Sequence, residues 1–194
     1  MIRAFEEVEV CSRSEWRAWL AANWRRPESV WVVTWRKGAG PHVPYGDIRD
    51  EALCFGWIDS LPRKRDDGRT MLLLSPRRPG SAWSAVNKAR VEVLEAEGRL
   101  AEGGRAAIAR AQEGDAWTRL DGANSGALPT DLIAALEAAA ARAVFEGFAP
   151  SSRRGILEWI AQARQAQTRA RRVAETARLA ALGLRANHPE SKGR

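Results

Sequence analysis

A turn signal set between two strand-like runs limits the folds open to this sequence. Trp57–Lys64 and residues 71–75 flank Asp66-Asp67-Gly68, which predicts an antiparallel hairpin. Upstream, Val30-Trp31-Val32-Val33-Thr34-Trp35 is β-branched and aromatic and reads as a further strand. Lys37-Gly38-Ala39-Gly40-Pro41 ends it. The expectation is a small antiparallel sheet of about three strands.

Helix signals surround these strands. Ser12-Arg13-Ser14-Glu15 is a capping box, and Trp16, Trp19 and Leu20 come after it at helical spacing. A helix over 47–55 would present Ile48, Ala52 and Phe55 to a core and stop at Gly56. Two more are expected over 84–97 and 102–113, with Gly98 as a left-handed cap. Residues 121–128 are rich in Gly, Asn and Ser and read as a linker. Beyond it only helices are expected, starting at Thr130 or Asp131, at Ser151 or Ser152, and near Thr168. The fold class is therefore α+β: a sheet packed with helices over 1–120, an all-helical region over 129–186, and a polar tail over 187–194.

The chain has 194 residues, 45% hydrophobic and 28% charged, which suits one domain with an appendage or two small ones. No run approaches the roughly 18 apolar residues of a membrane span, so no membrane insertion is expected. The first residues lack the order of a secretory leader, which makes the cytoplasm the expected location. Cys11 and Cys54 fit that location as buried small hydrophobes, with a disulfide between them possible but not indicated. Two Cys and two His without short spacing offer no zinc set, so neither metal nor cofactor is expected.

Charge is unevenly placed. Of 31 Lys/Arg and 24 Asp/Glu, 10 basic and 3 acidic residues fall in 151–194; the remaining 21 of each sign cancel, so the net +7 belongs to the C-terminal stretch. Residues 61–90 are locally basic as well, with eight Lys/Arg against Asp66 and Asp67. Such segments suit anionic partners, although a solvated arginine-rich helix face is the commoner reading.

No Walker loop, Rossmann fingerprint or nucleophile elbow is present. Cys54 with His42 is a conceivable nucleophile and base, but Cys54 lies on an apolar helix face and reads as a buried structural thiol. Residues 55–87 are the richest segment. Arg77 and Arg78 suit an anionic group, Trp57 and Trp83 offer aromatic faces, and Ser81 and Asn87 would fix orientation. Asp59 is the candidate general base, or the partner that orients an arginine. The competing reading is structural: Ser81 or Ser84 caps a helix, Trp83 fills the core, and Asp59 pairs with Arg63 or Arg65. Trp16, Trp19, Trp31, Trp35 and Trp159 read as packing residues.

Two long motifs stand out: Glu51-Ala52-Leu53-Cys54-Phe55-Gly56-Trp57-Ile58-Asp59 and Ser75-Pro76-Arg77-Arg78-Pro79-Gly80-Ser81-Ala82-Trp83-Ser84-Ala85-Val86-Asn87. With Gly98-Arg99-Leu100, Glu113-Gly114-Asp115-Ala116-Trp117, Leu128-Pro129-Thr130-Asp131-Leu132 and Trp159-Ile160-Ala161-Gln162-Ala163-Arg164, the chain resembles the YdeI/OmpD-associated, or bacteriocin-protection, family. Departures are Leu100 where Met is usual, Arg164 in place of Lys, and Gln167-Thr168-Arg169 in place of Glu-Thr-Arg. The resemblance covers nearly the whole chain. It implies a role in tolerance to bacteriocins or antimicrobial peptides and no specific reaction. A basic chain repels cationic peptides, which argues against direct capture.

Three functions are expected on these grounds. The first is a binding protein for a small anion or an acidic partner group, held by Trp57, Arg77, Arg78, Ser81, Trp83 and Asn87. The second is nucleic-acid binding through the C-terminal helices, with Arg164, Arg171 and Arg178 at seven-residue spacing and Arg172 beside them. The third is an enzyme acting on a phosphorylated or acidic substrate, with Asp59 as base.

Overall fold

The computed structural model describes residues 5–188. Its elements run β1 (Glu6–Glu9), α1 (Arg13–Asn23), β2 (Val30–Trp35), α2 (Tyr45–Cys54), β3 (Trp57–Lys64), β4 (Arg69–Pro76), α3 (Ala85–Ala96) and α4 (Glu102–Glu113). After these come α5 (Asp121–Ser125), α6 (Thr130–Ala138), α7 (Arg142–Glu146), α8 (Pro150–Ala161) and α9 (Ala166–Ala181). The fold is α+β, with its C-terminal part helical. The described residues form two compact units. One is the chain up to Ser81 with Val86–Ala116; the other is Ala82–Ala85 with the chain from Trp117 onward. Among the described residues, no helix is long and apolar enough to cross a membrane.

The predicted hairpin closes on Asp66, whose Oδ1 accepts hydrogen bonds from the N–H groups of Gly68 (3.1 Å) and Arg69 (2.8 Å). β4 pairs antiparallel with both β3 and β2, so the three expected strands form as read. A fourth strand corrects the strand count and the all-antiparallel expectation. β1 lies parallel to β2, giving the order β1-β2-β4-β3. Its sequence, Glu-Glu-Val-Glu, carries almost no strand propensity. Tertiary charge pairs supply what the sequence lacks: Glu6 accepts from Arg26 (2.8 Å), Glu7 from Arg65 (3.0 Å) and Glu9 from Arg69 (3.0 Å).

One irregularity in β3 decides which face of the sheet Asp59 joins. Asp59 pairs with Leu74 and Leu61 with Leu73, so Ser60 is an extra residue, a β-bulge. In a regular strand Asp59 would share a face with Leu61 and Arg63. The bulge inverts that alternation and puts Asp59 on the face of Pro62, across from Leu74 and Leu72.

The helices of the first unit are fastened to α2 by a buried acid pair. Asp50 and Glu51 are 5% and 1% exposed. Glu51 accepts from Arg13 and Arg17 of α1, each at 2.6 Å, and from Arg99 beyond α3. Asp50 takes a two-pronged contact from Arg90 of α3 (2.9 and 2.6 Å) and a third bond from Arg49 (3.1 Å). Burial works against both charges. The facing guanidiniums overcome it and hold both carboxyls below the usual carboxylate range. Trp16 packs beside this network and donates its indole N–H to the Ile48 carbonyl (2.9 Å). The Ser12 cap forms as read, and Glu15 reaches back to the Cys11 N–H (2.8 Å).

α4 approaches the end of α2 backbone to backbone. A Cβ on Gly104 would lie 2.3 Å from the Cys54 carbonyl oxygen, and one on Gly103 2.6 Å from that of Phe55. Gly56 answers from the other side, with φ +76° and room for no Cβ against Gly103.

The second unit has its own core, built on Leu132, Leu136, Phe145, Ile156, Ile160 and Leu179. Here the stretch read as a linker contains α5, a single short helix, and α7 is a second short helix that no cap or spacing signal marks. α8 starts at Pro150 rather than at a serine cap, because proline's fixed φ and missing N–H suit the first helical position. The tail over 189–194 lies outside the described residues.

Both close contacts can be tested by substitution. Gly104→Ala forces backbone apart and should cost about 2 kcal/mol, read from the urea midpoint. Glu51→Gln leaves three arginines short of a charge partner and should cost about 3 kcal/mol. Because the folded pKa values of Asp50 and Glu51 are depressed, their stabilisation is present above the unfolded carboxylate pKa of about 4 and is lost as pH falls below it. The urea midpoint of the wild type should therefore drop more steeply on acidification than that of Glu51→Gln.

Candidate functional site

Asp59, turned inward by the bulge, lies in a cavity of about 410 Å³ on one face of the sheet. Val32 and Leu72 are paired residues of β2 and β4 and form its floor; Thr34 and Thr70 are the next pair along. Val43, Ile48 and Pro62 wall it. The lining is mostly apolar, and His42, Tyr45 and Asp59 bring polarity to it. This size and character match a small-molecule site.

The polar groups are held from several elements. Tyr45, at the start of α2, donates its hydroxyl to Asp59 Oδ2 at 2.9 Å. Burial, then the bond to Asp59, pushes the Tyr45 phenol up, so it stays a donor through the neutral range. Arg49 lies 5.8 Å from the Tyr45 ring centre. The buried Thr34 hydroxyl accepts the Val43 N–H (2.9 Å) and ties the 36–44 loop to the sheet. His42 Nδ1 lies 2.6 Å from the Trp35 carbonyl oxygen. Its Nδ1 therefore serves as the donor, because a carbonyl oxygen can only accept.

Of the residues given a chemical role in the sequence, Asp59 and His42 line this cavity. Trp57 is fully buried, and its indole N–H donates to the Trp24 carbonyl (3.1 Å). Trp83 is 1% exposed and lies in the second unit, with its ring 5.2 Å from that of Trp117. Both are core side chains and present no open face to a ligand, as the structural reading of Trp83 had it. Arg77 is 7% exposed, and burial pushes its guanidinium down to about 10 against the opposing pull of Asp59. Its backbone N–H donates to Gly56 (2.9 Å). Arg78 is exposed, so the two guanidiniums occupy different environments. Ser81 closes a turn onto Arg78 (3.0 Å), and Asn87 lies within α3, half-buried. Asp59 bonds Tyr45, not the Arg63 or Arg65 that the structural reading named. Arg63 instead covers Trp31 (5.3 Å), and Arg65 pairs with Glu7.

The Cys54 and His42 pair does not form. Cys54 is fully buried and its thiol is pushed up, first by burial and then by Glu51, whereas His42 is exposed. The structure corrects the reading of Cys11 as a buried residue, since it is exposed. Of the tryptophans read as packing, Trp16 is buried. Trp19 stacks on Trp16 (5.3 Å) and Trp159 packs against the helical core; Arg26 (5.5 Å), Arg69 (5.6 Å) and Arg172 (4.9 Å) further cover Trp19, Trp35 and Trp159.

The seven-residue spacing of Arg164, Arg171 and Arg178 does not form one helix face. α8 ends at Ala161 and α9 begins at Ala166, which leaves Arg164 in the connection. Arg171 and Arg178 are exposed on α9, and Arg172 is turned onto the Trp159 ring and carbonyl. The motif pieces around Asp131 and Arg169 meet: Arg169 grips the Asp131 carboxylate at 2.7 and 2.9 Å. That pairing holds Asp131 below the usual carboxylate range. The helical motif is thus largely its own scaffold.

Sequence reasoning missed Tyr45, His42 and Thr34 as companions of Asp59. The sole tyrosine of the chain was a usable signal, but the bulge that brings Asp59 to it leaves no mark in composition or periodicity.

Fold and site together define a two-unit α+β protein, a pocketed four-stranded sheet in one unit and a helical bundle in the other. The chain belongs to the family described as a domain of unknown function, DUF8412, whose model matches residues 8–107, just over half its length. Residues 126–183, within the helical unit, match the model of the family described as bacteriocin-protection, YdeI or OmpD-associated. The motifs over 51–59 and 75–87 fall inside the first match. No curated protein and no solved structure matches the chain.

Proposed function

We propose that this protein binds a small, mainly apolar molecule bearing a cationic head group, in the sheet-face cavity of its first unit. The observation that carries this reading is the Asp59–Tyr45 pair at 2.9 Å in a mostly apolar cavity of about 410 Å³. An apolar body gains from leaving water against Val32, Val43, Ile48 and Leu72. An ammonium gains a charge-assisted bond to the Asp59 oxygen that Tyr45 leaves open. A carboxylate or phosphate head would meet the Asp59 charge instead. The Tyr45 bond orients the carboxylate, which favours binding over general-base chemistry. The bacteriocin-protection description is a property of the family matched by the second unit.

The test is calorimetric titration of the full chain with 2-phenylethylamine and with 3-phenylpropionate, which differ chiefly in head-group charge. The amine should bind saturably and the acid should not. Asp59→Asn should weaken the amine about tenfold, the loss of one charged hydrogen bond. Tyr45→Phe should weaken it less. Equal binding of amine and acid, or an amine affinity indifferent to Asp59→Asn, sinks the reading.

A further inference from the structure

A second cavity, of about 420 Å³, lies in the helical unit between α5 and the first turns of α8. Its lining includes Arg153 and Arg154 and no acidic residue. Several other arginines of this unit have protein partners. Arg142 bridges Glu137 and Glu146, Arg169 grips Asp131, and Arg172 covers Trp159. Arg153 and Arg154 differ: among the described residues, neither side chain makes a hydrogen bond or an ion pair, yet both line one cavity. The Asn124 and Ser151 side chains, also in the lining, are equally uncommitted, whereas Ser125 is occupied in its own turn, donating to Gly122 (2.8 Å). Leu128, Pro150 and Leu157 supply an apolar wall.

The helix end itself is not the attraction. Pro150 has no N–H, and the N–H groups of Ser152 and Arg153 already bond the Ala149 carbonyl (2.9 and 3.0 Å). The cavity offers two guanidinium forks with their donors open, flanked by an amide and a hydroxyl. Two full positive charges match a dianion, and planar forks match the oxygens of a phosphate better than a single point charge does.

We infer that this cavity binds the phosphate group of a small phosphorylated molecule, with Arg153 and Arg154 as its charge clamp and the molecule's apolar part against Leu128 and Leu157. The site is independent of the sheet-face cavity, and Asp59→Asn leaves it intact. Neither arginine side chain makes a hydrogen bond or an ion pair among the described residues, so replacing each by Gln should leave the melting temperature of the protein nearly unchanged.

Calorimetry on the full chain at low salt tests it, with phenyl phosphate, inorganic phosphate and phenylacetate as probes. Phenyl phosphate should bind most tightly, inorganic phosphate less well for want of the apolar part, and the monoanionic phenylacetate most weakly. Arg153→Gln and Arg154→Gln should each weaken phenyl phosphate about tenfold. Arg171→Gln, which removes an exposed charge on α9, should change nothing. An undiminished affinity in the double variant Arg153→Gln/Arg154→Gln overturns the inference. So does an equal loss in Arg171→Gln, which would mean diffuse attraction to a basic surface, and so does the absence of binding at millimolar phenyl phosphate.

Discussion

The first unit depends on two adjacent carboxylates. Asp50 and Glu51 sit on α2 where its other buried residues are apolar, and they draw in arginines from α1, from α3 and from the turn beyond α3. Removing charge from water is costly, and a pair this buried stands only because several guanidiniums share its oxygens. The same contacts fix the direction of α2. That direction sets where its first residue, Tyr45, stands over the sheet and where its last turn receives α4. The acid pair is therefore remote from the cavity's chemistry but upstream of its geometry.

The cavity owes its polarity to a second, smaller device. A single extra residue in β3 changes which face of the sheet Asp59 belongs to. Without it Asp59 would face the same way as Arg63, and the cavity would have no carboxylate. The physical step from a hairpin to a binding site here is one inverted alternation, together with a helix start that delivers one hydroxyl.

Much of this was legible in the sequence, and the limits have physical causes. The β-branched run at 30–35, the Asp66 turn, the Ser12 cap and the Gly98 cap (φ +68°) each depend on neighbours a few residues away, and each formed as read. β1 was invisible because its glutamates are held by Arg26, Arg65 and Arg69, which lie 20, 58 and 60 residues from their partners, beyond the reach of any local pattern. Asp59 was singled out with the wrong companions, since a bulge and a loop decide what it meets. The arginine-rich segments invited an anion-binding reading throughout. The structure lays several of those arginines over tryptophan rings and carboxylates, and charge counting cannot separate an occupied guanidinium from an open one.

The two borders of the sheet govern how this protein can meet anything else. A strand with a free row of N–H and C=O groups is a template on which another strand can grow. Here one border, β1, is short and bristles with glutamate, and the other, β3, is interrupted by Ser60 and by Pro62, which has no N–H to offer. Neither border suits a peptide laid alongside it. Both borders thus carry the features that discourage the addition of a further strand.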